Sequence, residues 1–140
     1  MIGNLAIFWP MVAQAFLTFA AYFVLLSRRR TAVRGGGASL DTFRTAGTEP
    51  ADSASASRNV ANQFELPVLF HAVCLALYVT NGASWLAVAL AWIFVVCRLV
   101  HAFVHLGSNA VAQRFQAFVA GFVVLFVLWI LFALHLLGVA

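Results

Sequence analysis

The chain has 140 residues, of which 64% are hydrophobic and 9% charged, and its formal net charge is +4. That apolar share exceeds what a soluble domain of this length can bury, so the composition indicates an integral membrane protein with a single domain, 1–140. All eight basic residues are arginines, gathered mostly in one segment, so the charge speaks for membrane orientation and against nucleic-acid binding.

Four apolar runs, each close to the roughly 20 residues that cross a bilayer, predict an all-α bundle of four transmembrane helices. The first covers about residues 5–26 and stops at Arg28-Arg29-Arg30. Its start, from Ile2, lacks a basic flank and a small-residue cleavage site, so it is expected to remain as a span. Pro10 lies early in it, where a kink is possible. Residues 31–57 are rich in Gly, Ala, Ser and Thr and read as a mobile solvated loop. Gly35-Gly36-Gly37 has no Lys-Ser/Thr after it and is a linker, not a phosphate loop. The second span is expected at 58–79, the third at 85–106 and the fourth at 114–137. Turns at Thr80–Ser84 and Gly107–Asn109 separate them.

The arginines at 28–30, 34 and 44 place the 31–57 loop in the cytoplasm, so both termini face away from it. Trp9, Trp85 and Trp129 fit interface positions. Cys74 and Cys97 fall at different depths and are expected to be free thiols.

Polar side chains then intrude into the apolar runs. Arg58, Asn62 and Glu65 (i, i+4, i+7) share a face if the second span is one helix, with Glu65 about 10 Å along it from Arg58. A carboxylate at that depth is expensive and needs a partner. Arg98, His101 and His105 share a face of the third span, with Arg98 about 12 Å from its end. Glu65 and Arg98 are therefore candidates for a buried ion pair that fixes helix packing. Arg114 begins the next helix at the same end. These seven side chains can converge on one cavity at the cytoplasmic side. His71 lies off this face and reads as a packing histidine, and His135 sits near the opposite end. His101 and His105 have the i, i+4 spacing of a metal pair, but the arginines around them oppose a cation, and no metal is expected. Arginine-rich pockets favour anions, so the expected ligands are a polar anion and a hydrophobic partner that arrives through the lipid.

At Arg58-x-x-x-Asn62-x-x-Glu65-x-Pro67, at Arg98 and the stripe after it, and at Arg114, the chain resembles the MAPEG family, membrane-associated proteins in eicosanoid and glutathione metabolism. The resemblance covers the second to fourth spans well and points to a prokaryotic branch. It implies a homotrimer in a bacterial inner membrane that binds glutathione between subunits and conjugates it to, or reduces with it, a lipophilic electrophile. By the same resemblance Arg58, Asn62, Glu65, Arg98, His101 and His105 form the glutathione site. Arg114 would be the catalytic arginine that stabilises the thiolate. Many catalytic members carry tyrosine directly after the motif's Glu, where this chain has Leu66, and tyrosines on the third helix, where it has His101 and His105. Two classes of function stay open: a glutathione-dependent transferase or peroxidase, and a non-catalytic scaffold or lipid-binding protein of the same fold. A small transporter is a weaker third, for want of an inverted repeat with broken helices.

Overall fold

The computed structural model describes residues 4–44 and 48–139. Ile2, ahead of the first expected span, and residues 45–47 of the loop lie outside the described residues. The described chain is all-helical. Helix α1 covers Phe8–Arg34, α2 Ala51–Ala61, α3 Leu66–Val79, α4 Trp85–Leu106 and α5 Val111–Leu136. A 3-10 turn, Asn62–Phe64, joins α2 to α3, so the two make one crossing. Among the described residues four stretches are long and apolar enough to cross a membrane: Leu5–Arg34, Ala51–Val79, Trp85–Leu106 and Val111–Leu136.

Pro10 is the third residue of α1. In a first turn its missing N–H has no intrahelical acceptor to lose, so proline is tolerated there. The 31–57 region is more ordered than its composition suggests. Helix α1 continues to Arg34, a 3-10 turn forms at Leu40–Phe43, and α2 begins at Ala51. The small side chains that look like linker are packing residues. Ser53, Ser55 and Ala56 are buried, and the Ser55 hydroxyl donates to the His105 carbonyl at 3.1 Å. Asp52 stands in the first turn of α2, where the helix dipole favours a negative charge.

The turns between spans are built for tight reversal. Asn81 and Asn109 both adopt positive φ, 60° and 51°, a conformation that asparagine tolerates better than most residues. Ser84 caps α4, accepting the Ala87 N–H at 3.2 Å. A Cβ on Gly82 would sit 2.5 Å from the His135 ring, whose Nε2 contacts the Thr80 carbonyl at 3.0 Å. Helices α4 and α5 approach closely at Gly121, where a Cβ would lie 3.4 Å from that of Cys97. Cys74 and Cys97 are both free.

Two apolar cores hold the bundle. The larger includes Ile7, Phe70, Leu77, Ala91, Phe94 and Leu128, with Phe70 stacked on Phe94 at 4.5 Å. Trp129, expected at an interface, packs half-buried against this core. The smaller, Ala21, Leu25, Ala56 and Val60, joins α1 to α2 near the loop. Between the two lies a polar layer. Gln14 donates to Gln63 at 3.0 Å, and Gln63 bonds back to the Asn59 carbonyl at 3.3 Å. Buried amides of this kind link transmembrane helices by about 0.6 kcal/mol each on average.

The close fit of Gly82 under His135 makes a stability prediction. Gly82→Ala should displace the ring from the Thr80 carbonyl and lower stability by about 1–3 kcal/mol. In a His135→Ala background the same substitution should cost much less. Thermal unfolding of the four proteins of this cycle in detergent measures the difference. An equal penalty in both backgrounds would place the strain in the turn itself.

Candidate functional site

The second span does not run as one helix past the motif. Pro67 stands in the first turn of α3 and has no N–H to offer the carbonyl four residues back. The chain leaves the α-helical path through the 3-10 turn Asn62–Phe64, and Glu65 has φ −99° and ψ −106°. The expected single face for Arg58, Asn62 and Glu65 is therefore bent at its middle. Glu65 is exposed in the single chain, not buried as the continuous helix implied.

Arg98 is the buried charge instead, at 1% exposure. Its Nη2 donates to the Asn62 carbonyl at 2.9 Å. The expected Glu65–Arg98 ion pair is not formed. Among the described residues the ion pairs are Arg29–Glu49 and Arg44–Asp41. The break explains the difference: it turns the Glu65 side chain outward and brings a backbone carbonyl to Arg98.

A cavity of about 490 Å³ lies beside this contact. Arg58, Asn62 and Glu65 line it from the second span, His101 and His105 from α4, and Arg114 from α5. Arg98 stands behind the wall, supporting Asn62. Ala61, Val111, Phe115 and Phe118 complete the lining, and the sequence reading passed over them. Val111, Phe115 and Phe118 (i, i+4, i+7) share one face of α5, a signal that its helical period contains.

The α4 and α5 side chains are held in place. The Arg114 Nη1 donates to the Asn109 side-chain oxygen at 2.8 Å. His101 Nδ1 contacts the Arg114 carbonyl at 3.1 Å. A carbonyl only accepts, so Nδ1 carries the proton and, in the neutral ring, Nε2 is the bare acceptor. The His101 and His105 rings meet edge-on at 5.6 Å. Neither nitrogen of His105, nor His101 Nε2, nor Arg98 Nε and Nη1, has a hydrogen-bond partner. Helix α5 begins beside the cavity at Val111, and its N-cap, Ala110, offers no side-chain cap. Its first N–H groups and the positive end of its dipole thus favour an anion there.

The remaining sequence candidates lie elsewhere. His71 is half-buried, its ring 5.4 Å from that of Phe70. His135 is at the far end of α5. Among the described residues no group of three or more His, Cys, Asp or Glu is placed to hold a metal. Arg28, read from sequence as a boundary charge, turns into the bundle. It donates to the carbonyls of Asp52, at 2.9 Å, and of Leu106, tying α1 to α2 and α4.

Neither a curated protein nor a solved structure matches the chain. The sequence model of the MAPEG family matches residues 7–134, which span all four crossings. On that match, with four crossings and no strand among the described residues, the chain is an integral membrane protein that belongs to the MAPEG family.

Proposed function

We propose that the cavity binds glutathione and activates its thiol toward lipophilic electrophiles. The observation that carries this reading is the charge pattern on one wall system: two guanidiniums, Arg58 and Arg114, and one carboxylate, Glu65. Glutathione offers the complement, two carboxylates and one ammonium. Arg58 and Arg114 suit the carboxylates or the thiolate through charge-assisted hydrogen bonds, and Glu65 suits the ammonium. Asn62 supplies a neutral donor and acceptor between them.

Activation follows from electrostatics. A free thiol has a pKa of about 8.5, and a nearby guanidinium or a helix N-terminus lowers it. Arg114 and the start of α5 supply both at one place. The thiol proton passes to solvent, and the thiolate attacks the electrophilic carbon: as the C–S bond forms, either the bond to a leaving anion such as a halide breaks, or the π bond of an activated alkene opens and its far carbon takes a proton from water. Phe115 and Phe118 give the lipophilic substrate an apolar approach. Phe115 is 65% exposed, so that approach opens toward the lipid.

The same reading favours a homotrimer. Arg58 and Glu65 are exposed on the subunit although both belong to a membrane crossing. Polar side chains at such a depth need protein or water beside them, and a second copy would supply it. Native mass spectrometry in mild detergent tests this: a trimer is expected, and a folded monomer that still binds glutathione would exclude a shared site.

Two substitutions separate binding from activation. Because the Glu65 side chain has no hydrogen-bond or ion-pair partner among the described residues, Glu65→Gln should leave thermal stability within about 0.5 kcal/mol. It should weaken glutathione binding by about tenfold, as expected for one charge-assisted contact of roughly 1.4 kcal/mol. Calorimetry on the folded variant checks both, and unchanged affinity would reject the ammonium assignment.

Arg114→Ala should reduce the thiolate fraction by about tenfold, equivalent to one pKa unit or about 1.4 kcal/mol, and reduce binding less. Thiolate absorbance on mixing protein with glutathione reads the first effect and calorimetry the second. Equal losses would give Arg114 a carboxylate-holding role, and no change in either would leave it as a boundary charge.

A further inference from the structure

The arginines that close α1 do not share one task. Arg28 is bonded inside the bundle. Arg29 pairs with Glu49 at 2.6 Å and lies 5.0 Å above the Phe43 ring. Arg30 and Arg34 are exposed and have neither a hydrogen-bond nor an ion-pair partner among the described residues. Four residues apart, they lie on one helix face. Leu26, four residues before Arg30, continues that face toward the membrane and is 60% exposed.

This face borders a second cavity, of about 670 Å³. Its other wall is the 3-10 turn Leu40–Phe43. The turn is a built element: Ser39 and Thr42 form a capping box, Thr48 donates to the Thr42 carbonyl at 2.7 Å, and Arg29 clamps Phe43. What it presents is Leu40, 81% exposed. Two free guanidiniums beside an exposed leucine are a poor arrangement for water alone. The guanidiniums match a phosphate, and Leu26, Val33 and Leu40 match hydrocarbon.

We propose that this cavity binds one anionic glycerophospholipid of the adjoining leaflet. Arg30 and Arg34 hold the phosphate, the acyl chains run along Leu26 into the membrane, and Val33 and Leu40 cover the glycerol region. Charge complementarity selects the anionic class. The two carboxylates nearest the cavity in sequence, Asp41 and Glu49, are already paired with Arg44 and Arg29. No free acid is therefore left on these walls to receive the ammonium of a zwitterionic headgroup, while the two free arginines attract a net negative one. The site lies apart from the glutathione cavity and shares no lining residue with it. It stands or falls separately from that reading.

The test is native mass spectrometry of the whole chain in detergent, titrated with phosphatidylglycerol and phosphatidylcholine of identical acyl chains. The wild-type protein should retain phosphatidylglycerol about thirtyfold more strongly, the scale expected for two basic residues facing an anionic lipid. The double substitution Arg30→Gln and Arg34→Gln should abolish the preference. Arg44→Gln combined with Asp41→Asn, which removes the neighbouring ion pair without freeing an acid, should keep it. Leu40→Gln should weaken phosphatidylglycerol binding several-fold while the preference persists. Circular dichroism confirms that the variants fold, and if the Arg30 and Arg34 double variant does not, Arg34→Gln at the last residue of α1 should reduce the preference by itself. Equal retention of the two lipids by the wild-type protein, or a preference that survives loss of Arg30 and Arg34, would overturn the proposal. Displacement of the lipid by millimolar inorganic phosphate would also overturn it, because the site would then be one for free anions.

Discussion

A single hydrogen bond organises the loop half of this protein: the one from buried Arg98 to the Asn62 carbonyl. A guanidinium within a membrane-spanning helix is costly unless its donors are met. A helix normally keeps its carbonyls for itself. Here Pro67 forces a break after α2, and the 3-10 turn that follows brings a main-chain acceptor to α4. The buried charge and the broken helix therefore stabilise each other. Removing the guanidinium would leave a carbonyl short of a donor, and straightening the helix would leave the guanidinium with none. Asn62, whose carbonyl takes part, is also a lining residue of the cavity, so the bond fixes the site as well as the fold.

Helix α4 carries this arrangement along one seam. Its buried residues Ala87, Ala91, Phe94, Arg98, His101 and His105 alternate by four and three. That is the spacing of a helix that keeps one stripe against its neighbours. The first half of the stripe is apolar and fills the larger core. The second half is polar and forms the back of the cavity. One continuous geometric feature thus supplies both stability and chemistry. The first crossing also changes character along its length, from Ile7 just before α1 through Gln14 to Ala21 and Leu25: apolar, polar, apolar. The polar layer forms where Gln14 of α1, Asn59 of α2, the 3-10 turn and Arg98 of α4 meet.

This explains what could be read from the residues alone. The shared face of Arg98, His101 and His105 was legible because α4 is uninterrupted and its period is fixed. The four crossings were legible because apolar length is a local property. Glu65 was misplaced because a uniform helical period was carried through a proline-induced break, and a bend of one turn redirects every side chain near it. Helix α2 was read as loop because serine and alanine are ambiguous. In isolation they suggest a linker, whereas against α1 and α4 their small size permits close packing, and only the tertiary neighbours decide. The amide ladder of Gln14, Gln63 and Asn59 left a trace that was passed over. A lone glutamine inside an apolar run needs a partner, although the sequence does not say which.

The histidines change which groups can perform the proposed chemistry. A tyrosine hydroxyl can donate to a thiolate, and the MAPEG resemblance puts tyrosines where this chain has His101 and His105. His101 spends its Nδ1 proton on the Arg114 carbonyl. In the neutral ring its Nε2 can then only accept, so it cannot serve a thiolate as a phenol would. The donors left near that position are the one N–H of neutral His105, the Arg114 guanidinium, steadied by Asn109, and the uncapped N–H groups that open α5. The His101 contact still matters to the last two, because it ties the first turn of α5 to α4 and so holds both of them at the cavity. On the proposed reading, His101 acts through position and Arg114 through charge, and the α4–α5 turn is the part of the structure on which thiol activation depends.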